Sequence, residues 1–259
     1  MTMKKSFFSL LVLMVVLSCS KNSNPALITK CGIDNLYIDY ELLSGKVKKL
    51  TVNQHQANSD SEEIAIGLRV RSDVYKFNDT GNVIEKIAFG VDQELFGKST
   101  AEYKDGKLIK VVVYDGENNQ NSIHKYEYEQ GKLINVSGQN PSGEIYYQYQ
   151  IQTDGDCSIP LRMDEITEKG GYISRVIDES ICKTVKRTDY DKNEYLSQKW
   201  EFEYDKNGLL VKEVYSGKDG SSISVFKYSD FDENKNWTQK EITTDGVLKY
   251  VIEREIEYY

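Results

Sequence analysis

The sequence predicts an all-β protein, a long antiparallel meander of repeated β-hairpins that forms a strongly curled or barrel-like sheet. Three observations predict this fold class. Aromatic and aliphatic residues alternate with charged residues along most of the chain, which is the period of a strand with two different faces. Glycine-containing turn sequences recur about 25 residues apart, as in repeat architectures. Turns of a second kind lie between them, so each unit consists of strand, turn, strand and turn.

Residues 200–215, WEFEYDKNGLLVKEVY, contain one such hairpin. Trp200, Phe202 and Tyr204 share one face of an extended strand, and the two glutamates between them share the other. The turn DKNG follows, in which Asp and Asn bond to nearby backbone and Gly208 accepts a positive φ without steric cost. An aliphatic strand then returns along the first.

The same turn is repeated along the chain, with its glycine at Gly81, Gly106, Gly131, Gly155 and Gly208. In two further copies Glu194 and Lys235 stand at the glycine position. Because a positive φ costs a side chain about 1–2 kcal/mol, we expect the strained conformation to move onto neighbouring asparagines in these copies. The candidates are Asn193, Asn234 and Asn236.

The repeats give about fourteen strands of roughly six to nine residues. A sheet of so many strands should twist and curl rather than stay flat. The segment 158–185 departs from the pattern, and we expect an interruption there that could hold a short helix.

The first nineteen residues, MTMKKSFFSLLVLMVVLSC, have a basic start and an apolar core too short to span a bilayer. The ending resembles the bacterial lipobox, which implies cleavage before Cys19 and acylation of its thiol; an ordinary secretion signal is the alternative. We therefore expect a signal peptide over 1–18, a lipidated tether over 19–30 and a single β-hairpin repeat domain over 31–259. Acyl chains would hold the protein on a membrane. Ser20 after the cysteine favours the outer membrane.

The envelope is oxidising, which permits disulfides among the remaining cysteines. Cys157 and Cys182 bracket the interrupting segment, and a bridge between them would stabilise by about 3–4 kcal/mol. We expect this pair, with Cys31 free. Metal binding is the weaker interpretation, because the cysteine spacings match no zinc pattern.

The hairpin turn resembles the Y-D-x-x-G-x-L core of YD (Rhs-type) repeats, which Tyr204, Asp205, Gly208 and Leu210 reproduce. Looser copies consist of Phe77, Gly81 and Val83, and of Tyr128, Gly131 and Leu133. The likeness covers most of residues 70–245, although no arginine follows the glycine. It implies antiparallel strips that curl around a hollow. Together with the lipobox, the chain resembles the small YD-repeat lipoproteins of Gram-negative bacteria, whose function is unknown.

Charge excludes some functions. The formal net charge of −8 and the lack of a compact basic patch argue against nucleic-acid binding. Glu253, Glu255 and Glu257 line one face of the last strand. Because charges are costly on a wall that faces lipid, these residues argue against a transmembrane β-barrel.

No motif indicates catalysis, a cofactor or a metal. His55 and His124 lie near no nucleophile motif and are predicted to be surface or loop residues. The strand-face glutamates alternate with lysines, as solvated rows do. DKNE at 191–194 and DKNG at 205–208 resemble calcium loops but lack the acid that such a loop needs twelve positions on, and ordinary turns explain them. We expect no enzyme.

The 19 tyrosines are many, and an open aromatic row on a curled sheet could stack a sugar or bind a peptide. The candidate surface consists of Tyr146, Tyr147 and Tyr149 beside Trp200, Phe202 and Tyr204. The simpler interpretation is that these rings fill the core. The predicted function is a non-enzymatic binding or scaffold module of the envelope, with a glycan or a protein as ligand. The alternatives are a structural accessory of a secretion or uptake complex and, less favoured, a carbohydrate-active enzyme.

Overall fold

The structure, a computed structural model, describes residues 43–58, 65–153, 160–166, 170–178 and 183–259. The described residues form an all-β fold of sixteen strands. The strands are β1 (Val47–Asn58), β2 (Ala65–Phe77), β3 (Val83–Phe89), β4 (Leu95–Lys104), β5 (Lys107–Asp115), β6 (Gln120–Glu129), β7 (Lys132–Gln139), β8 (Ile145–Thr153), β9 (Pro160–Glu165), β10 (Tyr172–Asp178), β11 (Lys183–Tyr190), β12 (Leu196–Tyr204), β13 (Leu210–Gly217), β14 (Gly220–Phe231), β15 (Trp237–Thr244) and β16 (Val247–Tyr258).

Each strand pairs antiparallel with the next, and β1 pairs with β16, so the meander closes into a barrel. The predicted fold class is confirmed, and the sheet is closed rather than only curled. Both ends of the described chain, residues 43 and 259, lie at one end of the barrel together with the turns at 78–82 and 205–209; we call this the terminus end. The other end, with turns such as 90–94 and 191–195, is called the far end.

The expected interruption at 158–185 is wrong for the part of that segment that the structure describes. Residues 160–165 and 172–178 form β9 and β10, and β11 begins at Lys183. The reason is that Met163 and Ile173 are buried and continue the inward apolar row of the preceding strands. The barrel therefore has sixteen strands, of 6 to 13 residues, instead of about fourteen.

A β-bulge recurs beside the terminus-end turns. Tyr204 lies opposite Leu210, whereas Glu203 lies opposite Lys212, so Val211 is skipped. The same slip skips Ile109 and Ile134. Each bulge brings the repeat tyrosine and the leucine after the turn onto the inward face as a pair. This geometry explains why an aromatic before the turn and a leucine after it recur.

The repeat tyrosines also tie strands together through their hydroxyl groups. Tyr103 Oη donates to the Val83 carbonyl at 2.9 Å, and Tyr204 Oη donates to the Thr184 carbonyl at 2.9 Å. In both cases the acceptor lies twenty positions earlier, at the start of the preceding strand. The hydroxyl group thus supplies a hydrogen-bond donor to a backbone carbonyl near the turn.

Side-chain caps build the turns at both ends. Asp205 Oδ1 accepts backbone N–H bonds from Asn207 at 2.8 Å and Leu209 at 2.9 Å, and Gly208 has φ 79°. The expected move of the strained position is wrong, because Glu194 and Lys235 themselves have φ 62° and 65°. The capping carboxylate fixes the backbone of these turns, and its hydrogen bonds offset the cost of a side chain at positive φ.

The barrel closes next to a polar latch. The side chain of Asn236 accepts a bond from the Ser44 backbone N–H at 2.7 Å and donates to the Ser44 carbonyl at 2.9 Å. It also donates to Tyr258 Oη at 2.7 Å, and Tyr258 donates to Asp232. This latch holds the chain that leads into β1 against the β14–β15 turn.

Cross-strand ion pairs cover the outer wall. Examples are Lys49 with Glu257 at 2.6 Å and Lys212 with Glu203 at 2.8 Å. Because the barrel interior takes the alternate residues, these glutamates form the solvated rows that the sequence predicted. The outer wall is therefore typical of a surface that faces water.

Two apolar clusters fill part of the interior, which we call the lumen. The first lies on β5 to β10 and includes Leu108, Tyr126 and Met163. The second lies around β1 to β3 and includes Leu50 and Tyr75. Both clusters lie outside β12 to β14, so the opposite part of the wall has a different character.

Candidate functional site

The lumen wall formed by β12, β13 and β14 contains no buried residue, although about half of its inward residues are aromatic. Register places six aromatic side chains on this inward face, and all six are partly exposed: Trp200, Phe202, Tyr204, Tyr215, Phe226 and Tyr228. Packed cores normally bury such rings. We call these six residues the aromatic wall, and it is the candidate site.

Trp200 and Tyr215 form the centre of the aromatic wall. The two residues face each other across β12 and β13, and their ring centroids lie 5.3 Å apart with planes inclined at 49°. A Cβ atom on Gly217 would lie 2.3 Å from the Tyr215 hydroxyl oxygen. The glycine therefore lets the tyrosine ring lie along the strand.

A buried ion pair supports the aromatic wall. Arg187 Nε and Nη2 donate to the two oxygens of Asp189 at 2.7 and 2.6 Å. The guanidinium carbon of Arg187 also lies 4.5 Å from the centroid of the Trp200 ring. A doubly hydrogen-bonded guanidinium stacked on an aromatic face has little freedom, so the indole is held in one orientation.

The charges of the same ion pair also act on Tyr149, which packs against the first apolar cluster. Burial, followed by the charges of Glu165 and Asp189, raises the pKa of Tyr149 to about 12, and the charge of Arg187 opposes this shift. Tyr149 in turn packs on Tyr147, with ring centroids 5.5 Å apart.

A carboxyl group faces the lumen beside these residues. Glu213 lies opposite Phe202; its partial burial raises its pKa, while the nearby charge of Arg187 lowers it. Arg175 lies directly opposite Arg187 and is buried. The site thus combines aromatic rings with both cations and acids at close range.

A second polar group is fully enclosed. His124 is 1% exposed; its Nε2 lies 3.0 Å from Ser122 Oγ and its Nδ1 lies 2.5 Å from Tyr147 Oη. Burial lowers the pKa of His124 to about 4, so the ring is neutral near pH 7. The prediction of a surface or loop position is wrong for His124, because the strand alternation that places Tyr126 inward places this histidine there too.

His55, in contrast, lies on the outer side of β1, where its Nε2 atom is 3.2 Å from a Glu253 carboxylate oxygen. The Asp191 and Asp205 carboxylates of the two calcium-like sequences accept backbone N–H bonds within their own turns, as ordinary turns do. Among the described residues, no group of three or more His, Cys, Asp or Glu side chains is placed to hold a metal ion.

Aromatic rings also enclose a buried lysine. Lys240 Nζ lies 5.1 to 5.7 Å from the ring centroids of Phe226, Tyr228 and Trp237. Burial lowers its pKa well below the ordinary value. The guanidinium of Arg254 stacks on the Trp237 ring at 3.3 Å. These contacts close the terminus end of the aromatic wall.

The structure separates the predicted aromatic surface into two parts. Trp200, Phe202 and Tyr204 lie on the partly exposed wall, while Tyr147 is buried in the first cluster, as the core interpretation predicted. Tyr146 lies at the far end and is 43% exposed.

Sequence reasoning missed Arg187, Asp189, Glu213 and Tyr215. The stretch KRTDY at 186–190 places Arg187 and Asp189 on one face of a strand, which could have indicated an ion pair. A charged strand face usually indicates the outer wall, however.

The other predicted sites lie outside the described residues: the signal peptide 1–18, the lipidation site Cys19, the tether 19–30, the free Cys31 and the pair Cys157 and Cys182. Within the part of the chain that the structure describes, there is no helix with the length and apolar character needed to span a bilayer.

The described residues form an all-β closed antiparallel barrel, and comparison with solved structures finds one chain of similar fold among those reported below. A porin-like protein from Bacteroides uniformis ATCC 8492 superposes with a TM-score of 0.53 at 11% identity, over 82% of this chain and 96% of that one. A porin-like protein from Bacteroides vulgatus ATCC 8482 gives 0.44 at 12% identity, over 82% and 98%.

The Photorhabdus luminescens Tc holotoxin pore gives a TM-score of 0.31 at 10% identity, over 77% of this chain. The chain spans only 14% of that toxin chain. No protein-family model and no curated protein sequence matches the chain. The first similarity concerns the fold alone.

Proposed function

We propose that this protein is a lipid-anchored binding module of the cell envelope, without enzymatic activity, that takes a ligand against the aromatic wall of its lumen. In this proposal the protein is one of the small YD-repeat lipoproteins, Cys19 is its lipidation site, and the outer membrane is its location. The observation that carries the proposal is the aromatic wall, where strands β12 to β14 bury none of their inward rings.

The energetic argument concerns the cost of that wall. Exposed aromatic surface forgoes about 25 cal/mol for every Å² that remains in contact with water. The same barrel packs its inward residues on β5 to β10, so its strands are able to bury such side chains. Rings kept partly exposed beside a fixed ion pair are typical of a ligand site with aromatic walls and a few oriented polar groups.

The envelope location rests on the leader sequence and is supported by the outer wall. Ion pairs such as Lys49 with Glu257 favour water around the barrel, so the acyl chains of Cys19 supply the membrane attachment. The barrel that this chain shares with a protein described as porin-like is compatible with an envelope location.

Fluorescence tests binding directly. The chain has 2 tryptophans, so a Trp237→Phe variant leaves Trp200 as the single reporter. We expect the emission of Trp200 to respond to at least one class in a panel of neutral glycans, acidic glycans and peptides. The full-length protein in detergent micelles is used. No response to any class would refute the binding function, and turnover of a bound glycan would refute the non-enzymatic part.

Membrane attachment is tested by a Cys19→Ser variant. We expect the variant to leave the membrane fraction and to lose metabolic palmitate labelling, while the parent protein retains both. A parent protein that is unlabelled and freely soluble would contradict the lipid anchor.

A second candidate function is a structural accessory of an envelope complex, favoured by apolar side chains around the far end. Phe96 is 74% exposed, Tyr195 is 69% exposed and Leu68 is 68% exposed. We call the exposed apolar residues of this end the apolar collar: Ile66, Leu68, Val91, Leu95, Phe96, Ile145, Tyr146, Ile166, Tyr195, Leu196, Ile223 and Val247. Exposed apolar side chains that gather at one end of a protein are typical of a protein contact.

Charge indicates the kind of partner. The described far-end turns carry mainly acidic side chains: Asp92, Glu94, Glu117, Glu144, Asp191, Glu194, Asp219 and Asp245, with Lys192 and Lys218 as the described basic ones. A second copy would present the same acids, so a partner with an apolar surface edged by basic residues fits better. A photo-crosslinking residue at position 96 should give one stoichiometric adduct with a partner. The same residue at position 227, on the outer wall, should give no such adduct. Equal labelling from both positions would refute this function.

A further inference from the structure

One cross-strand row of inward side chains runs through the aromatic wall. Arg175 lies opposite Arg187, Arg187 opposite Trp200, Trp200 opposite Tyr215, and Tyr215 opposite Ser222. The row therefore crosses β10 to β14 and places guanidinium groups at one end, aromatic rings in the middle and a hydroxyl group at the other end. The two rings and the serine are partly exposed, so a ligand in the lumen can reach them.

The rings of this row suit the C–H face of a sugar ring. Stacking on a sugar needs an aromatic face that is held in place and open to the ligand. Arg187 holds the indole of Trp200 at 4.5 Å, and the space above Gly217 lets Tyr215 lie along its strand. The tilt of 49° between the two rings gives an angled platform rather than a flat slot.

The polar groups of the row suit hydroxyl groups. The bonds of 2.7 and 2.6 Å from Arg187 to Asp189 use the Nε and Nη2 atoms. The remaining guanidinium donors and carboxylate lone pairs can bond to neighbouring hydroxyl groups of one ligand. A fixed pair that both donates and accepts matches adjacent sugar hydroxyls, which also do both.

The charge around the row disfavours an anion. Although Arg175 adds a second cation to the row, the positive charge of Arg187 is already neutralised by Asp189. Glu213 is close enough to Arg187 for the arginine charge to lower its pKa. The charges of Glu165 and Asp189 both raise the pKa of the nearby Tyr149. A carboxylated ligand would meet these acids and would gain little from an arginine that already has a partner.

We infer that the row is a subsite for a neutral hexopyranose unit. The sugar ring stacks on Trp200 and Tyr215, and its hydroxyl groups bond to the Arg187–Asp189 pair and to Ser222. This inference rests on the proposed binding function and names the ligand class of the same site.

The test compares neutral and acidic oligosaccharides by isothermal titration calorimetry of the full-length protein in detergent micelles. The probes are cellohexaose, maltohexaose and mannohexaose as neutral chains, and hexagalacturonate as the acidic chain. At least one neutral chain should bind, and Tyr215→Ala should weaken its binding by about tenfold or more, since ring stacking contributes on this scale. Thermal melting checks that each variant is folded.

A matched control lies on the outer wall. There the guanidinium of Arg162 lies 3.8 Å from the Tyr172 ring, which stacks on Tyr190 at 4.4 Å. Tyr172→Ala removes a similar ring from a similar arginine outside the lumen, and we expect it to leave affinity unchanged. Equal losses in Tyr172→Ala and Tyr215→Ala would overturn the inference.

A charge variant adds a readout that misfolding would not imitate. Asp189→Asn leaves Arg187 without its counter-charge, so hexagalacturonate should gain affinity relative to the neutral chains. Tighter binding of hexagalacturonate than of every neutral chain by the parent protein would overturn the inference and leave the binding function standing. A Trp200 response only to peptides would have the same meaning, whereas no response to any class would refute the proposed function itself.

Discussion

Removal of a single repeat hydroxyl tests whether the tyrosines tie the barrel together. In Tyr103→Phe, the 2.9 Å bond to the Val83 carbonyl is lost, and Val83 is buried, so water cannot easily replace the donor. A hydrogen bond of this kind contributes about 1 kcal/mol, and a buried carbonyl left without a donor costs about 1–3 kcal/mol. We therefore expect the free energy of unfolding to fall by about 2 kcal/mol.

Tyr128 is the matched control, one repeat later. Its hydroxyl oxygen is buried and has no hydrogen-bond partner within the described residues. Tyr128→Phe removes a buried polar atom that gains nothing there, so we expect unchanged or slightly higher stability. Urea titrations followed by circular dichroism compare the variants at equal m-values. Equal losses in both variants, or no loss in Tyr103→Phe, would refute the role of the hydroxyl bond.

Three further predictions concern the interior and the seam. The pKa of His124 is about 4 in the folded protein, below the ordinary histidine value of 6.5. Between these two pH values the unfolded chain binds a proton at this histidine and the folded chain does not. The free energy of unfolding should drop by about 3 kcal/mol between about pH 6.5 and pH 4, and His124→Gln should flatten this slope; an identical slope contradicts the burial. Gly138→Ala places a Cβ atom 2.2 Å from a Tyr147 ring carbon. It should cost about 1–3 kcal/mol in thermal unfolding, and a neutral effect would argue against this packing. Asn236→Ala removes both hydrogen bonds to the Ser44 backbone and should speed amide hydrogen exchange in β1 much more than in β7. An equal increase in both strands would count against the latch.

The repeating part of the fold could be predicted because each hairpin is a local feature. The stretch from Trp200 to Leu210 contains its own alternation, cap and turn, and the structure follows it. Closure is different, since Asn236 bonds to Ser44 over a separation of 192 positions. No local pattern specifies how many strands complete the circle or that β1 meets β16.

The aromatic wall could be predicted only as an aromatic strand face. Trp200 and Tyr147 have similar sequence settings, yet one is partly exposed and the other is 7% exposed. The difference arises from the side chains that face each ring across the lumen, which depend on closure. Arg187 and Asp189 were missed for the same reason, because a charged strand face indicates solvent unless the far wall is known.

Closure of the barrel is the central claim, and disulfide trapping across the seam tests it most directly. Thr51 and Glu255 are direct partners on β1 and β16. With the 4 native cysteines replaced by serine, Thr51→Cys with Glu255→Cys should oxidise to an intramolecular disulfide, while Thr51→Cys with Lys199→Cys should not. A seam pair that stays reduced, or that forms only intermolecular dimers, would contradict the closed barrel and the lumen site built on it.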